Sequence, residues 1–354
     1  MAWNKQKIET KLHEKLKIEF EESPADADKY FGYYTYARDI LVAENIFNDI
    51  KVIQKGLSDH GENHIMNVLS NANKLLGERI DKLSAIQIYF ICMLILFHDV
   101  GNLTVDRKKH HEQDVIREVY DYIRKKNKEF DEERILVPEV ASKHSGTACD
   151  GSTDTINELS LLPPYLFGAE IYSKKCAALL RFSDELAEGP QRTSIFMNKH
   201  YDYPYDANTV IYHKYAEITK INIDRKNERV CLTYNFNLTA KDGAISAKEQ
   251  NDFIDLFNFA VKRMLKLEAE RKYCKYYCDW LEPFKKTHVT FNFLVDNETE
   301  GTTKTMRIDP GINQLFLDDL TLPTGETPNN FFNQNSTYEP ETVFNFINMA
   351  IHEK

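Results

Sequence analysis

Apolar residues recur at helical spacing through the first 200 positions of the chain. The clearest case covers residues 64–76, and similar patterns predict helices over residues 5–20, 30–50, 84–97, 111–126, 138–143 and 173–186. Ser58, Asp59 and Gly61 supply helix-start signals upstream of the helix at 64–76. Because glycine is a poor residue for a helix interior, we expect His60 to precede this helix and His64 to lie on its first turn.

The pattern changes after about residue 205, before which no strand is required. Residues 216–223 and 230–238 alternate apolar and polar side chains around a polar turn, which predicts a β-hairpin. A long helix is predicted over residues 248–284, followed by a strand over 288–295. Residues 322–340 are rich in turn-forming residues and predict a loop or a docking segment.

These elements predict a mainly α protein with two domains. An all-α domain is expected over residues 1–200, and a smaller α+β domain of unknown role over residues 201–354.

Composition excludes several classes of function. A formal charge of −10 and a pI near 5.6 disfavour binding of long nucleic acid, which depends on Lys and Arg. The six cysteines form no CxxC pair, which predicts reduced thiols. The N-terminus is too charged for a signal peptide, and the most apolar run, residues 85–97, is too short to cross a bilayer. We therefore expect a cytoplasmic protein without a membrane partner; homo-oligomerisation is left open.

The candidate chemistry is concentrated in histidines and aspartates of the first domain. Six of the eleven histidines lie between positions 60 and 144. His98 and Asp99 follow the apolar run AIQIYFICMLILF, and Gly101 is expected to end that helix just past them. Burying a charged carboxylate there costs several kcal/mol unless a cation or hydrogen bonds compensate it. A metal ion is the simplest explanation.

The order of these residues resembles the HD-domain superfamily of metal-dependent phosphohydrolases. His64 in DHGENHIMNVLSNA, the doublet His98-Asp99 in LILFHDVGN and Asp184 in AALLRFSDELAEGPQR match its first histidine, its His-Asp pair and its final aspartate. Members that bind two metals carry two more histidines, which are matched here by His110 or His111 and then by His144. The spacing from Arg107 favours His110 over His111.

The resemblance implies an all-α HD-type domain with two divalent cations bridged by Asp99, which would activate a water for attack on phosphorus. Mn, Fe, Ni or Co suits such ligands, with Mg or Zn as further options. In addition to His98 and Asp99, the residues that we expect to act in catalysis or to bind the substrate are Lys143, Arg192, Arg181 and His60. Arg181 is alternatively a structural ion pair, and His60 is a substrate contact, an outer histidine or a cap on the local turn.

The closest similarity is to HD modules of bacterial stress and phage-conflict systems, which suggests a role in antiviral defence. It covers residues 58–192 and does not extend to a specific substrate. The first hypothesis is a phosphodiesterase or nucleotidase acting on a nucleotide, a short oligonucleotide or a related phosphoester. The alternative is a nucleotide-binding sensor or effector subunit with little turnover.

Overall fold

The computed structural model describes residues 3–53, 56, 58–104, 112–125, 127–200, 206–300, 302–320 and 326–352. The chain divides into two compact units. The first comprises Met1–Ala187 with Tyr273–Glu282, and the second Glu188–Lys272 with Pro283–Lys354. These units differ from the predicted division at residue 200 in placing 188–200 in the second unit and 273–282 in the first. The predicted domains, as units of function, stay a prediction.

The first unit is built of helices, as expected. Its described residues form α1 Lys7–Glu19, α2 Pro24–Ala43, α3 Ile46–Ile53, α4 Glu62–Leu76, α5 Ala85–Phe97, α6 Gln113–Arg124, α7 Asp131–Ala141 and α8 Ser173–Glu185. One short hairpin, β1 Tyr165–Leu166 and β2 Ala169–Glu170, corrects the expectation that no strand precedes residue 205. Its two turn residues, Phe167 and Gly168, both have positive φ, as the tightest hairpin turns require.

Helix α5 forms the centre of this unit. All of its residues are buried, and it packs against α1, α2, α4, α7 and α8. Because it is apolar on every side, it has neighbours on every side. The segment Ala85–Leu103 is long and apolar enough to cross a membrane by length and composition, yet 94% of it is buried within the structure, as in a core helix.

Two predicted helices of the first unit have different bounds. The helix predicted over 138–143 begins earlier, because α7 starts at Asp131 with acidic side chains in its first turn, where the helix dipole favours them. Pro138 lies inside α7 rather than at its start. The helix predicted over 30–50 is divided into α2 and α3 at Asn45, which has a φ of 60°.

The second unit combines helices with a mixed sheet. Its described elements are α9 Ile195–His200, α10 Ala207–Ile218, β3 Thr219–Asp224, β4 Arg229–Lys241, β5 Ala244–Ile245, α11 Ala247–Tyr277, β6 Lys286–Thr299, β7 Thr302–Ile308, β8 Gln314–Asp318, α12 Pro328–Gln334 and α13 Pro340–His352. The sheet order is β3-β4-β6-β7, with β5 paired to β4 and β8 to β6. Strands β4 and β6 are parallel, and α11 connects them.

One face of this sheet is covered by aromatic packing. Phe236 of β4 and Phe293 of β6 are stacked with ring centroids 5.6 Å apart, and Phe253 and Phe257 of α11 lie against them. The opposite face carries the alternate, more exposed side chains of the same strands.

The second unit also corrects several predictions. The strand predicted over 216–223 begins only at Thr219, because α10 continues through Ile218. The helix predicted over 248–284 ends at Tyr277 and is followed by a short 3-10 turn. The segment 322–340 contains α12 and the start of α13 within its described residues, and is therefore not entirely loop.

A buried ion pair joins three helices of the first unit. The Glu133 carboxylate of α7 accepts hydrogen bonds from Arg124 of α6 at 2.8 Å, from the Tyr120 hydroxyl at 2.7 Å and from the Tyr89 hydroxyl of α5. Glu133 is fully buried and Arg124 is only 5% exposed. Each charge therefore depends on the other for compensation.

We predict that Glu133→Ala lowers the free energy of unfolding of the first unit by about 3–5 kcal/mol, because it leaves the Arg124 charge in the core. Urea unfolding followed by circular dichroism measures the loss. Asp131→Ala, at the exposed start of the same helix, is the control and is expected to cost about 1 kcal/mol or less. Equal losses in the two variants would contradict the assignment.

Candidate metal centre

Helix ends of the first unit bring the predicted ligands together. Gly61 is the N-cap of α4, and its backbone N–H donates to the Asp59 carboxylate at 2.8 Å. His64 lies on the first turn of α4, as predicted. His98 is the C-cap of α5, so the helix ends before the His-Asp doublet. Gly101 therefore does not terminate the helix as expected but lies in a 3-10 turn, Val100–Leu103.

Two more predicted ligands lie at other helix ends. Asp184 is in the last turn of α8, and His144 ends the 3-10 turn that follows α7. The imidazoles are buried, whereas the Asp184 side chain is 27% exposed. The cluster therefore opens toward solvent at Asp184.

Four side chains have their ligand atoms within 4.8 Å of one another: His64, His98, Asp99 and Asp184. His64 Nε2 lies 3.2 Å from Asp99 Oδ2 and 3.1 Å from Asp184 Oδ1. His98 Nε2 lies 3.2 Å and 3.7 Å from the same two oxygens. Within the described part of the chain, no other group of three or more His, Cys, Asp or Glu residues meets this criterion.

This arrangement fits a divalent cation. Nε2 of His64, Nε2 of His98 and Oδ2 of Asp99 are buried and form no hydrogen bond in the described residues, despite their short separations. Two ligand atoms that each lie about 2.1 Å from one ion are about 3.0–3.4 Å apart. Imidazole nitrogens and carboxylate oxygens suit Zn, Mn, Fe, Ni or Co. The donor set and its spacing therefore match a metal site.

Backbone carbonyls orient two of the imidazoles. His98 Nδ1 lies 2.8 Å from the Ile95 carbonyl oxygen, and His144 Nδ1 lies 2.7 Å from that of Ala141. A carbonyl oxygen can only accept, so each Nδ1 carries a proton, and Nε2 is the nitrogen that presents a lone pair once the ring is neutral. This is the usual outer support of a histidine ligand.

Two asparagines support the cluster, and the sequence analysis did not single them out. Asn102 Nδ2 donates to Asp99 Oδ1 at 3.2 Å, and Asn71 Nδ2 donates to the Ser183 carbonyl oxygen at 3.1 Å, which ties α4 to α8 beside Asp184. An amide three residues after the doublet, in HDVGN, was the available signal for Asn102. The signal for Asn71 exists only in the packing.

The carboxylates create a strong preference for positive charge. Burial raises the pKa of Asp99, but His98 and His60 outweigh that effect and hold it well below its usual range. Burial also raises the pKa of Asp184, but His64 and His98 outweigh that effect and hold this pKa well below its usual range. Burial lowers the pKa of His98, but Asp99 and Asp184 raise it to about 10. Either protons or a divalent cation can satisfy these carboxylates.

His60 and His144 lie beside the four clustered residues. The ring centroid of His60 is 5.5 Å from that of His64, and that of His144 is 5.1 Å from that of His98. His144 Nε2 is 3.8 Å from Asp99 Oδ1. The structure thus brings His144 to the other oxygen of Asp99, and the roles of both histidines stay predictions.

The predicted substrate-binding cations have protein partners. Lys143 Nζ lies 2.7 Å from Glu158 Oε2 and lowers the pKa of Glu158 to about 2. The Arg181 guanidinium lies over the Tyr273 ring at 4.5 Å and donates to Thr155 Oγ1 at 3.1 Å. These contacts account for the positions of both side chains without a ligand.

Arg192 belongs to the second unit, although it was predicted as part of the first domain. Its Nη1 lies 3.1 Å from Glu188 Oε1, and Tyr212 donates its hydroxyl to the same carboxylate oxygen. His110 and His111 lie outside the described residues. The predicted contributions of all three residues stay predictions.

Two histidines and two aspartates held at buried helix ends define a helical domain of the HD type. The HD-CE family model matches residues 55–255, more than half of the chain, and the chain therefore belongs to this family of HD-domain proteins. HD domains are generally metal-dependent phosphohydrolases, so membership indicates a metal-dependent hydrolase. No curated protein and no solved structure gives a significant match. The predicted HD resemblance is confirmed, whereas the link to stress and phage-conflict modules stays a prediction.

We predict that protein purified without chelator contains about one to two equivalents of a first-row transition metal, as expected for these ligands. Elemental analysis measures the metal content.

Asn102→Ala removes the hydrogen bond that orients Asp99 and should weaken metal binding by roughly 10–100-fold. Asn48→Ala, an exposed change on α3, is the control. Unaltered affinity in Asn102→Ala would show that this contact does not support the site.

Metal binding should also depend on pH. Since the pKa of His98 without metal is raised to about 10, its ring is protonated at pH 7 and must lose that proton to bind a cation. Affinity is therefore expected to rise with pH until about that value, with proton release on binding. Calorimetry in buffers of different ionisation enthalpy counts the protons, and an absence of release at pH 7 would refute the prediction.

Proposed function

We propose that this chain is a metal-dependent phosphohydrolase that cleaves a phosphoester of a nucleotide or nucleotide-like substrate. Family membership and the His-Asp cluster support hydrolysis with a metal. The proposal adds three points to this: the substrate class, the number of metal ions, and the assignment as a phosphodiesterase or nucleotidase.

The position of Asp99 carries this proposal. Its Oδ2 lies 3.2 Å from both His64 Nε2 and His98 Nε2, whereas its Oδ1 faces His144 Nε2 at 3.8 Å. Asp99 thus presents one carboxylate oxygen to the imidazoles of His64 and His98 and the other oxygen to the imidazole of His144. Asp99 would therefore help to hold one cation together with His64 and His98, and a second one together with His144.

A pair of divalent cations held by these residues would supply Lewis-acid chemistry, which acidifies water and neutralises phosphate oxygens. In the proposed reaction, a water oxygen bonds to phosphorus, the phosphorus–oxygen ester bond breaks, and the departing oxygen gains the proton that the water loses. The residues of the chain would hold the cations in place. His98 and His144 are fixed by their carbonyl contacts, and Asp184 lies on the side that is open to solvent.

Lys143 is one of the sequence-predicted cations for a phosphate. It immediately precedes His144, and its side chain retains 21% exposure in its ion pair with Glu158. A phosphate oxygen would compete with that carboxylate for the ammonium group. We propose this exchange as the substrate contact of Lys143.

The proposed setting is a reducing, cytoplasmic compartment. All six cysteines are free in the structure, and Cys92, Cys176, Cys274 and Cys278 are buried. Reduced thiols are the rule in such compartments. A role in a bacterial stress or antiviral system is part of the same proposal.

Asp99→Ala is expected to reduce hydrolysis to background, because it removes the carboxylate shared by both sets of imidazoles. His60→Ala should cost roughly tenfold or less, as an outer contact. Activity is measured by release of phosphate or nucleoside from nucleotides, cyclic dinucleotides and short oligonucleotides with Mn, Ni, Co, Fe and Mg. Asp150→Ala, at an exposed turn, is the matched control.

Full activity of Asp99→Ala on an identified substrate would refute this assignment. A second outcome would favour the sensor hypothesis: tight nucleotide binding in the metal-loaded protein without turnover by any of these metals. Circular dichroism of each variant separates loss of activity from loss of fold.

A further inference from the structure

The outer face of the sheet in the second unit carries an aromatic pair. His288 of β6 and Phe316 of β8 are register partners, and their rings are stacked with centroids 4.3 Å apart and planes 10° apart. Phe316 nevertheless remains 61% exposed. Since His288 covers one side of its ring, the other side is open to a planar group.

The histidine of this pair is uncharged near neutral pH. Burial lowers the pKa of His288 below its ordinary value, and the nearby Arg229 lowers it further. The stack therefore consists of two neutral rings. Neutral aromatic platforms of this kind hold nucleobases by stacking, with little dependence on which base is present.

A row of charges lies two residues away on the same face. Along it the register places Asp224 opposite Arg229, Arg229 opposite Lys286, and Lys286 opposite Asp318. The two cations are thus direct neighbours on parallel strands, an arrangement that repulsion disfavours. The Arg229 Nε donates to Asp224 at 3.0 Å, and because a guanidinium has five N–H donors, this bond alone does not exhaust its capacity for acceptors. An anion between Arg229 and Lys286 would relieve their repulsion.

A cavity joins the aromatic pair to the cations. Its volume is about 480 Å³, and its lining includes Arg229, Lys286, His288, Phe316 and Asp318. Cavities of roughly 300–1,000 Å³ are typical of small-molecule sites. Rings and cations therefore border one space large enough for a ligand that has both a planar and an anionic part.

We propose that this cavity is a nucleotide-binding site, with the base stacked on Phe316 and a phosphate between Arg229 and Lys286. It goes beyond the proposed hydrolase function, because all of its residues belong to the second unit and none is a predicted metal ligand. Asp318, which also lines the cavity, would accept a hydrogen bond from a ribose hydroxyl.

The flanking acids decide the size of the ligand. Asp224 and Asp318 enclose the two cations, so the row as a whole is neutral. A long polyanion gains little from such a row, and the net charge of −10 disfavours it further. A single nucleotide, free or as one unit of a short strand, matches the two central cations.

The test uses full-length Asp99→Ala protein freed of metal with chelator, so that the metal centre does not contribute to binding. Isothermal titration calorimetry measures the affinities of AMP, UMP, ribose 5-phosphate and a heptauridylate. AMP and UMP are expected to bind more tightly than ribose 5-phosphate. Equal affinity for UMP and heptauridylate indicates a free nucleotide as ligand, and tighter Phe316-dependent binding of the strand indicates a nucleotide unit within it.

Variants in the same background locate the binding. Phe316→Ala should weaken AMP binding by roughly fivefold or more, whereas Phe316→Trp retains a stacking ring and should bind nearly as the parent does. Lys286→Gln should weaken AMP binding and reduce its salt dependence. Phe346→Ala on α13 and Lys262→Gln on α11 are the matched exposed controls and should change nothing.

Three results would overturn the proposal. These are no binding of any mononucleotide at millimolar concentration, unchanged binding in Phe316→Ala, and binding that appears only when Asp99 and metal are both present. The last result would assign nucleotide binding to the metal centre and leave the hydrolase proposal intact. Conversely, Phe316-dependent binding without any hydrolytic activity would retain this site and reject the proposed function.

Discussion

The negative charge of Asp99, at the buried end of α5, is the constraint on which the first unit depends. Only 4% of this residue is exposed, and an uncompensated carboxylate there would cost several kcal/mol. Partners for this charge come from separate elements: His64 lies at the start of α4 and His98 at the end of α5, and together with Asp184 of α8 they form a donor set that fits a divalent cation. Helix ends suit this purpose because short turns can aim side chains at one point while the helices stay packed.

The surroundings of His144 extend this support to distant parts of the sequence. The Thr155 hydroxyl donates to the Lys143 carbonyl at 2.8 Å, next to His144. Asp154 in turn accepts hydrogen bonds from Tyr273 at 2.9 Å and Tyr277 at 2.8 Å. These tyrosines are in the last turns of α11, most of which belongs to the second unit. Tyr273 and Tyr277 themselves belong to the first unit, so these contacts link the turn beside His144 to a segment of the same unit that lies 119 residues or more further along the chain.

Helices and strands were predicted correctly from the sequence where an element is buried on one side only or on all sides. The buried helix at 85–97 and the alternating strands β4 and β6 were found on this basis. Prediction from the sequence failed where local and tertiary preferences compete. Helix α7 continues through Pro138, and α10 runs into a strand without a turn. The strands β7 and β8 were not predicted, because most of their side chains are exposed and their sequences lack a regular alternation of apolar and polar residues.

The sequence by itself determined the chemistry of the candidate site, because the order of His64, His98-Asp99 and Asp184 identifies the HD superfamily without any coordinates. Tertiary structure alone decided the geometry: that Asp99 directs its two oxygens to different imidazoles, that Asn102 orients it, and that Arg192 lies in the other unit. The physical reason is that residue types are a local property of the chain, whereas the geometry depends on residues that are far apart in the sequence. A ligand motif is a local choice of residue types, whereas the approach of 3.2 Å between His64 on α4 and Asp99 just after α5 depends on how the helices pack.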